Sequence, residues 1–204
     1  MNRSPSTYPG RKKFKVTPKI VLAYLCLIPI AIGIGFGTFA IIRAVQKKQY
    51  FRPQEDLVRM YCEDATIPVH AAYALMYATG GLNNSNGDPN CVGYMALSPE
   101  LFQTIGALVM HEQPEPGLIY DPATNLKYGI AYLGYLFDRY LLWDTAFAAY
   151  LSDIETVDGY LKDPDVADQF GAVRASAIPD EKLKKQVSKT LKALETYNTL
   201  YKEN

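Results

Sequence analysis

From the N-terminus, the chain first shows an apolar run from Ile20 to Ile42 that contains no charged residue. As a helix rising about 1.5 Å per residue it is about 35 Å long, enough for a hydrocarbon core of about 30 Å. After Gln54 the pattern becomes that of shorter helices. Gln54 to Glu63 puts Leu57, Val58 and Tyr61 on one side of an amphipathic segment. Pro68 to Thr79 is apolar almost throughout. Proline fits its first position, and Gly80-Gly81 supplies the left-handed backbone that ends helices. Asn83 to Asn90 is turn chemistry. Ser98-Pro99-Glu100 joins a capping hydroxyl, a first-turn proline and a first-turn acid, and Leu101, Ile105, Leu108 and Val109 then recur at helical spacing. Residues 111–120 interrupt with two prolines and a glycine. Asp121-Pro122 opens the next helix by the same logic, to about Tyr140, and another ends at Tyr150. Ile178-Pro179 opens a last one, whose stripe of Leu183, Val187, Leu191, Leu194, Tyr197 and Tyr201 faces a core. The expected organisation is a tail over residues 1–19, an apolar helix over 20–42, a stalk over 43–53 and an all-α domain over 54–204.

Charge gives the apolar helix a direction. The chain of 204 residues is formally neutral, but Arg3, Arg11, Lys12, Lys13, Lys15 and Lys19 precede Ile20 and every acid follows Ile42. This bias favours a cytoplasmic tail and a domain on the far side of the cell membrane, although Arg43, Lys47, Lys48 and Arg52 reduce the asymmetry. Thr38-Phe39-Ala40 loosely fits a signal cleavage site, so a removed leader is the competing reading; the length of the run favours an anchor. Gly33 and Gly37 have the GxxxG spacing that lets membrane helices approach closely. The remaining domain is mildly acidic and offers no basic face for nucleic acid. Cys26 lies in the apolar run, which leaves Cys62 and Cys91 either paired or as two separate thiols. His70 and His111 have no second ligand at metal-binding spacing, and Asn86 with Asp88 lacks the rest of a calcium loop. The pattern calls for neither metal nor cofactor.

Two stretches carry a family resemblance. Ala74-Leu75-Met76, Gly81 and Asn83, followed by Gly93, Met95, Leu97 and Pro99, resemble the active-site segments A-L-I-x-x-E-S-G-F-N and G-A-x-G-L-M-Q-L-M-P of the soluble lytic transglycosylase, or goose-lysozyme-like, family. Asp121, Pro122, Asn125, Leu126, Gly129, Tyr132, Leu133 and Leu136, then Ala146, Ala148, Ala149 and Tyr150, are similar to its D-P-x-x-N-I-x-x-G-x-x-Y-L-x-x-L and L-A-A-Y-N-A-G segments. Tyr50, Leu57, Val58, Ile67 and Pro68 fit its opening, and Val157, Tyr160 and Leu161 its V-x-x-W-L. The resemblance implies a lysozyme-like helical fold and a groove for peptidoglycan glycan strands. Such enzymes use one protonated glutamate, helped by the sugar's own acetamide.

The departures fall on that groove. Thr79 stands at the glutamate position, Ala96 at a glutamine, and Leu151 at the asparagine after Tyr150. A threonine hydroxyl does not titrate near neutral pH and cannot be the proton donor. The resemblance therefore implies a groove lined by Thr79, Asn83, Tyr94, Met95, Ala96, Tyr150 and Leu151, with no catalytic residue. Tyr94 and Tyr150 are its candidate sugar-stacking rings, and Trp143 reads as core. The expected role is an inactive, membrane-anchored module of the cell envelope that binds glycan. One alternative is an active enzyme with a relocated acid, Asp153 being the first candidate ahead of Glu63, Glu100, Glu112 and Asp88. The other is a groove, made more apolar by Ala96 and Leu151, that takes an envelope protein.

Overall fold

The computed structural model describes residues 18–85 and 89–202, with the side chains of 19–31 outside that description. Asn86 and Asp88 also fall outside it, as do residues 1–17 of the expected basic tail and the side chains of residues 20–31 in the uncharged run. The chain divides into two units at Gln46 and Lys47.

In the first unit the chain is helical. Helix α1 spans Pro18–Gln49, and its described apolar side chains, Ile32, Ile34, Phe36, Phe39, Ile41 and Ile42, are all exposed. Thr38 returns its hydroxyl to the carbonyls of Ile34 and Gly35, so the one polar side chain of that stretch is satisfied within the helix. A Cβ added at Gly33 or Gly37 would meet only open space. Among the described residues no helix is long and apolar enough to cross a membrane.

The second unit is built around α3, Val69–Thr79, in which every residue from Ala71 to Met76 is buried. A helix apolar on all sides must be surrounded, and α8, Glu181–Leu200, supplies the main wall beside it. Helix α2, Glu55–Asp64, packs on α5, Pro122–Tyr140, which in turn packs on α6, Trp143–Leu151. Helices α4, Pro99–Ile105, and α7, Ile154–Tyr160, complete the body. Among the described residues there are no strands, only the isolated antiparallel bridges Val92 with Leu97 and Ala167 with Val173.

The expected caps at the starts of α4 and α5 are present. Ser98 Oγ accepts from the Leu101 amide at 3.1 Å, and Asp121 Oδ2 from the Thr124 amide at 2.8 Å. Two expectations change. The helix after Ser98 does not run regularly to Val109, because Gly106–Met110 is a π turn. Its extra residue per turn rotates Leu108 outward, to 40 % exposure. The last helix opens at Asp180, not at Ile178-Pro179: Asp180 Oδ1 accepts from the Leu183 amide at 2.6 Å. Cys62 and Cys91 are separate thiols, not joined by a disulfide.

Candidate functional site: the groove at the end of α3

Helix α3 ends where Gly80 turns left-handed, at φ 86°, and donates its amide to Met76 O. Thr79 is the last helical residue. Its hydroxyl donates back to Leu75 O at 3.0 Å and Met76 O at 3.3 Å, so its hydrogen is engaged by the helix itself.

Opposite stands a tight turn between Val92 and Leu97, which exchange backbone hydrogen bonds of 2.8 and 3.0 Å. Gly93, at φ +77°, and Ala96, at φ +52°, are both left-handed. That geometry sends Met95 into the core and leaves Ala96 half-exposed on the groove side. The turn is held by one fully buried amide, Asn125. Its Oδ1 accepts from the Met95 amide at 2.9 Å, while its Nδ2 donates to Val92 O at 3.0 Å and Ile119 O at 3.2 Å. Tyr150 adds a 2.8 Å hydrogen bond from its hydroxyl to Met95 O. Gly129 is the packing glycine here, since a Cβ on it would collide with the Met95 side chain. Burial, with the neighbouring Tyr132 and Cys91, pushes the Tyr150 phenol well above its ordinary range, so it stays a neutral donor.

Between these parts lies a cavity of about 470 Å³. Thr79, Ala96, Tyr150 and Leu151 line it as the sequence indicates. Three sequence-predicted residues do not. Met95 is wholly buried, pressed against Gly129; Asn83 is exposed on the short 3-10 helix Gly81–Asn83; and Tyr94 is half-buried, with its carbonyl against Gly81. Tyr150 is 5 % exposed and tilted against Tyr132, so it offers the cavity little ring face. Trp143 stacks between Phe137 and Phe147.

The sequence reading missed the wall contributed by α8. Lys182, Gln186 and Lys189 follow one another at i, i+4 and i+7, and all three line the cavity. Lys189 Nζ donates to Ala78 O at 2.9 Å and sits 5.3 Å from the centre of the Tyr77 ring. The apolar stripe of α8 drew the reading to its other face, although the polar spacing beside it was visible. Among the described residues no carboxylate lines the cavity. Asp153 is exposed and caps α7: its two oxygens accept from the Thr156 amide at 2.7 Å and hydroxyl at 2.8 Å. Glu63 and Glu100 are exposed, and Glu112 accepts from the Tyr128 hydroxyl. Among the described residues no three His, Cys, Asp or Glu side chains group closely enough to hold a metal ion.

A buried central helix ending at a groove, faced by a turn hung from a helical asparagine and a tyrosine, defines a lysozyme-like helical domain. Residues 58–167 match the family model for the transglycosylase SLT domain, more than half of the chain, and the protein belongs to that family. Among solved structures, the 70-kDa soluble lytic transglycosylase in complex with bulgecin A is 21 % identical, with a TM-score of 0.68 over 78 % of this chain and 26 % of that one. The 70-kDa soluble lytic transglycosylase Slt70 from Escherichia coli gives 20 % identity and a TM-score of 0.67, over 76 % of this chain and 25 % of the other. An inactive mutant of lytic transglycosylase Slt from Pseudomonas aeruginosa gives 16 % and 0.62, over 74 % and 24 %. The chain thus spans about a quarter of the length of these structures, and at such identities the likeness is one of fold. No curated protein sequence matches the chain.

Proposed function

We propose that this protein is a membrane-anchored SLT domain of the cell envelope that binds peptidoglycan without cleaving it. One observation carries the reading: the only charged side chains among the described lining of the groove are lysines. Cleavage of a glycosidic bond needs a proton donor at the leaving oxygen. Thr79 occupies the place of that donor with its hydrogen bonded into α3. In the Pseudomonas aeruginosa relative, the inactive form carries glutamine for a single glutamate, which is in keeping with a chemistry that rests on one carboxyl. A relocated acid is disfavoured for Asp153, whose oxygens both serve the α7 cap. An apolar docking groove is disfavoured by the polar wall of Lys182, Gln186 and Lys189.

Anchoring is supported by the uncharged run and by the exposed apolar side chains along α1, a pattern that a water-facing helix does not carry. The full chain in detergent, incubated with purified peptidoglycan, is expected to sediment with it and to release no anhydro-muropeptides. Release of anhydro-muropeptides refutes the inert reading, and failure to sediment refutes binding.

A further inference from the structure

A second cavity, of about 480 Å³, shares no lining residue with the groove. It lies on the other side of α5. Asn125 and Gly129 face the groove turn, whereas Lys127, Ala131, Gly134 and Asp138 line the second cavity. At about 100° per residue the two sets are roughly half a turn apart. The end of α2 borders the cavity where Gly134 lets Ala65 rest on α5: a Cβ on that glycine would come within 3.0 Å of the Ala65 Cβ and carbonyl oxygen. Val109 and Met110 of the π turn form its apolar part, and Tyr61 and Tyr135 supply two half-buried rings.

The carboxylates here are set against the helices that carry them. Asp64 is the last residue of α2 and Asp138 lies in the last turn of α5, yet a helix C-terminus already carries partial negative charge. Both are exposed, and neither is a helix cap, unlike Asp121, Asp153 and Asp180. Helix stability therefore does not account for them. Lys127 comes eleven residues before Asp138, about 16 Å along the axis at 1.5 Å per residue. Asp64 belongs to the far end from Lys127, since its neighbour Ala65 abuts Gly134, so the cavity is acidic at one end and basic at the other. The surroundings share the acidic sign: residues 60–180 carry 16 Asp and Glu against four Lys and Arg, in a chain that is neutral overall. Thr66, which also lines the cavity, has φ +56°, a backbone that a β-branched residue rarely adopts and that gathers at ligand sites.

We infer that this cavity receives an arginine side chain of a partner protein, with its guanidinium held by Asp64 and Asp138 and stacked on the Tyr61 and Tyr135 rings. The planar fork of a guanidinium pairs with carboxylates through parallel hydrogen bonds and lies well on aromatic faces. Val109 and Met110 give the neighbouring partner residue an apolar seat. Lys127 disfavours a second cation at the other end, so a lone arginine in an apolar setting fits better than a polybasic run. Met60 and Leu108, each next in the chain to a lining residue, are 45 % and 40 % exposed and supply apolar surface for the partner to cover. The cavity is separate from the groove, so the inference does not depend on what the groove binds.

The test uses the full chain in detergent and calorimetric titration with the acetylated, C-terminally amidated peptide Ser-Arg-Leu-Ser, compared with forms carrying lysine or citrulline in place of arginine. The arginine peptide is expected to bind tighter than the lysine peptide and much tighter than the neutral citrulline one, and to weaken as salt rises. Asp64→Asn and Asp138→Asn are each expected to weaken it about two- to fivefold, as exposed ion pairs allow. Asp165→Asn removes the same charge from a residue outside the cavity lining and is expected to change nothing. Ala131→Tyr fills the cavity and is expected to abolish binding, with circular dichroism as the check on folding. The two asparagine variants alter exposed side chains and decide the matter even where Ala131→Tyr does not fold. Equal affinity for the arginine and citrulline peptides, an equal loss in Asp165→Asn, or no binding of any peptide overturns the inference. So does binding of chitotetraose that Ala131→Tyr abolishes while the arginine peptide stays unbound, which would assign the cavity to sugar.

Discussion

Replacing Asn125 by leucine tests whether the groove turn hangs from that one amide. The change keeps side-chain volume but removes three hydrogen bonds, from the Met95 amide and to Val92 O and Ile119 O. The bond to Val92 O is part-buried, so water can replace it; the other two are buried. A buried backbone group left without a partner costs about 1–3 kcal/mol, which puts the loss at about 4 kcal/mol. That is a large share of a typical total of about 5–15 kcal/mol. At about 2–4 °C per kcal/mol for a unit of this size, the melting temperature falls by roughly 8–16 °C. Urea unfolding followed by helical circular dichroism reads this as a lower midpoint with an unchanged slope. A companion, Asn125→Asp, keeps the acceptor for the Met95 amide but turns an oxygen toward two carbonyls. Burial then raises that carboxyl above its unfolded value of about 3.9. A group raised on folding supports stability below the unfolded pKa and loses that support as pH rises through the folded one. The aspartate variant's deficit relative to the parent is therefore expected to shrink on acidification. A leucine variant within about 1 kcal/mol of the parent would refute the argument that Asn125 holds the turn.

Burial, with Glu63 alongside, pushes the Cys62 thiol up to about 12, whereas Cys91 is half-buried on the groove. Maleimide labelling mapped by mass spectrometry is expected to modify Cys91 in the native protein and Cys62 only after denaturation; early labelling of Cys62 counts against its core position. Asp144 has its pKa raised by burial and then by Asp168, so its charge opposes folding above the folded pKa and not below the unfolded one. Asp144→Asn is expected to raise the melting temperature at pH 7 and to lose that gain below about pH 3.9; a gain independent of pH refutes this. Thr79→Glu places a carboxyl in the groove beside Ala78, whose carbonyl holds the Lys189 ammonium. That cation favours the ionised carboxylate, so at neutral pH the variant is expected to release no muropeptides; release at pH 7 would show that the acid alone was missing.

The helices were readable because their signals are local. The first-turn prolines of α4 and α5, their Ser98 and Asp121 caps, and the almost wholly apolar α3 each follow from a few neighbouring residues. What was not readable depends on partners distant in sequence. The π turn at Gly106–Met110 is set by the following segment, where Glu112 donates its amide to Gly106 O and Pro114 packs against Gly106. Asp153, weighed from the sequence only as the first candidate for a relocated acid, caps α7, since a short polar side chain before a helix most readily satisfies the orphan amides there. The lysine wall required knowing that α8 lies against the end of α3, which no periodicity within α8 reveals.

The residues that carry the family likeness and those that face the cavity do different jobs. Gly81, Gly93, Asn125, Gly129 and Tyr150 shape or hold the turn: two glycines pack where a Cβ would collide, one is left-handed against Asn125, and the amide and phenol clasp the Met95 backbone. Their demands are those of packing and hydrogen bonding within the fold. They are the same whether a glutamate or a threonine ends α3. Thr79 and Leu151 lie outside the turn, and Lys182, Gln186 and Lys189 come from a helix beyond the family-matched residues. A match over residues 58–167 therefore reports that the scaffold can form, while the chemistry of the groove is decided by side chains that the scaffold leaves open. On the proposed function, exchange of the groove-facing set with the clasp left intact would carry one fold from cutting a polymer to holding it.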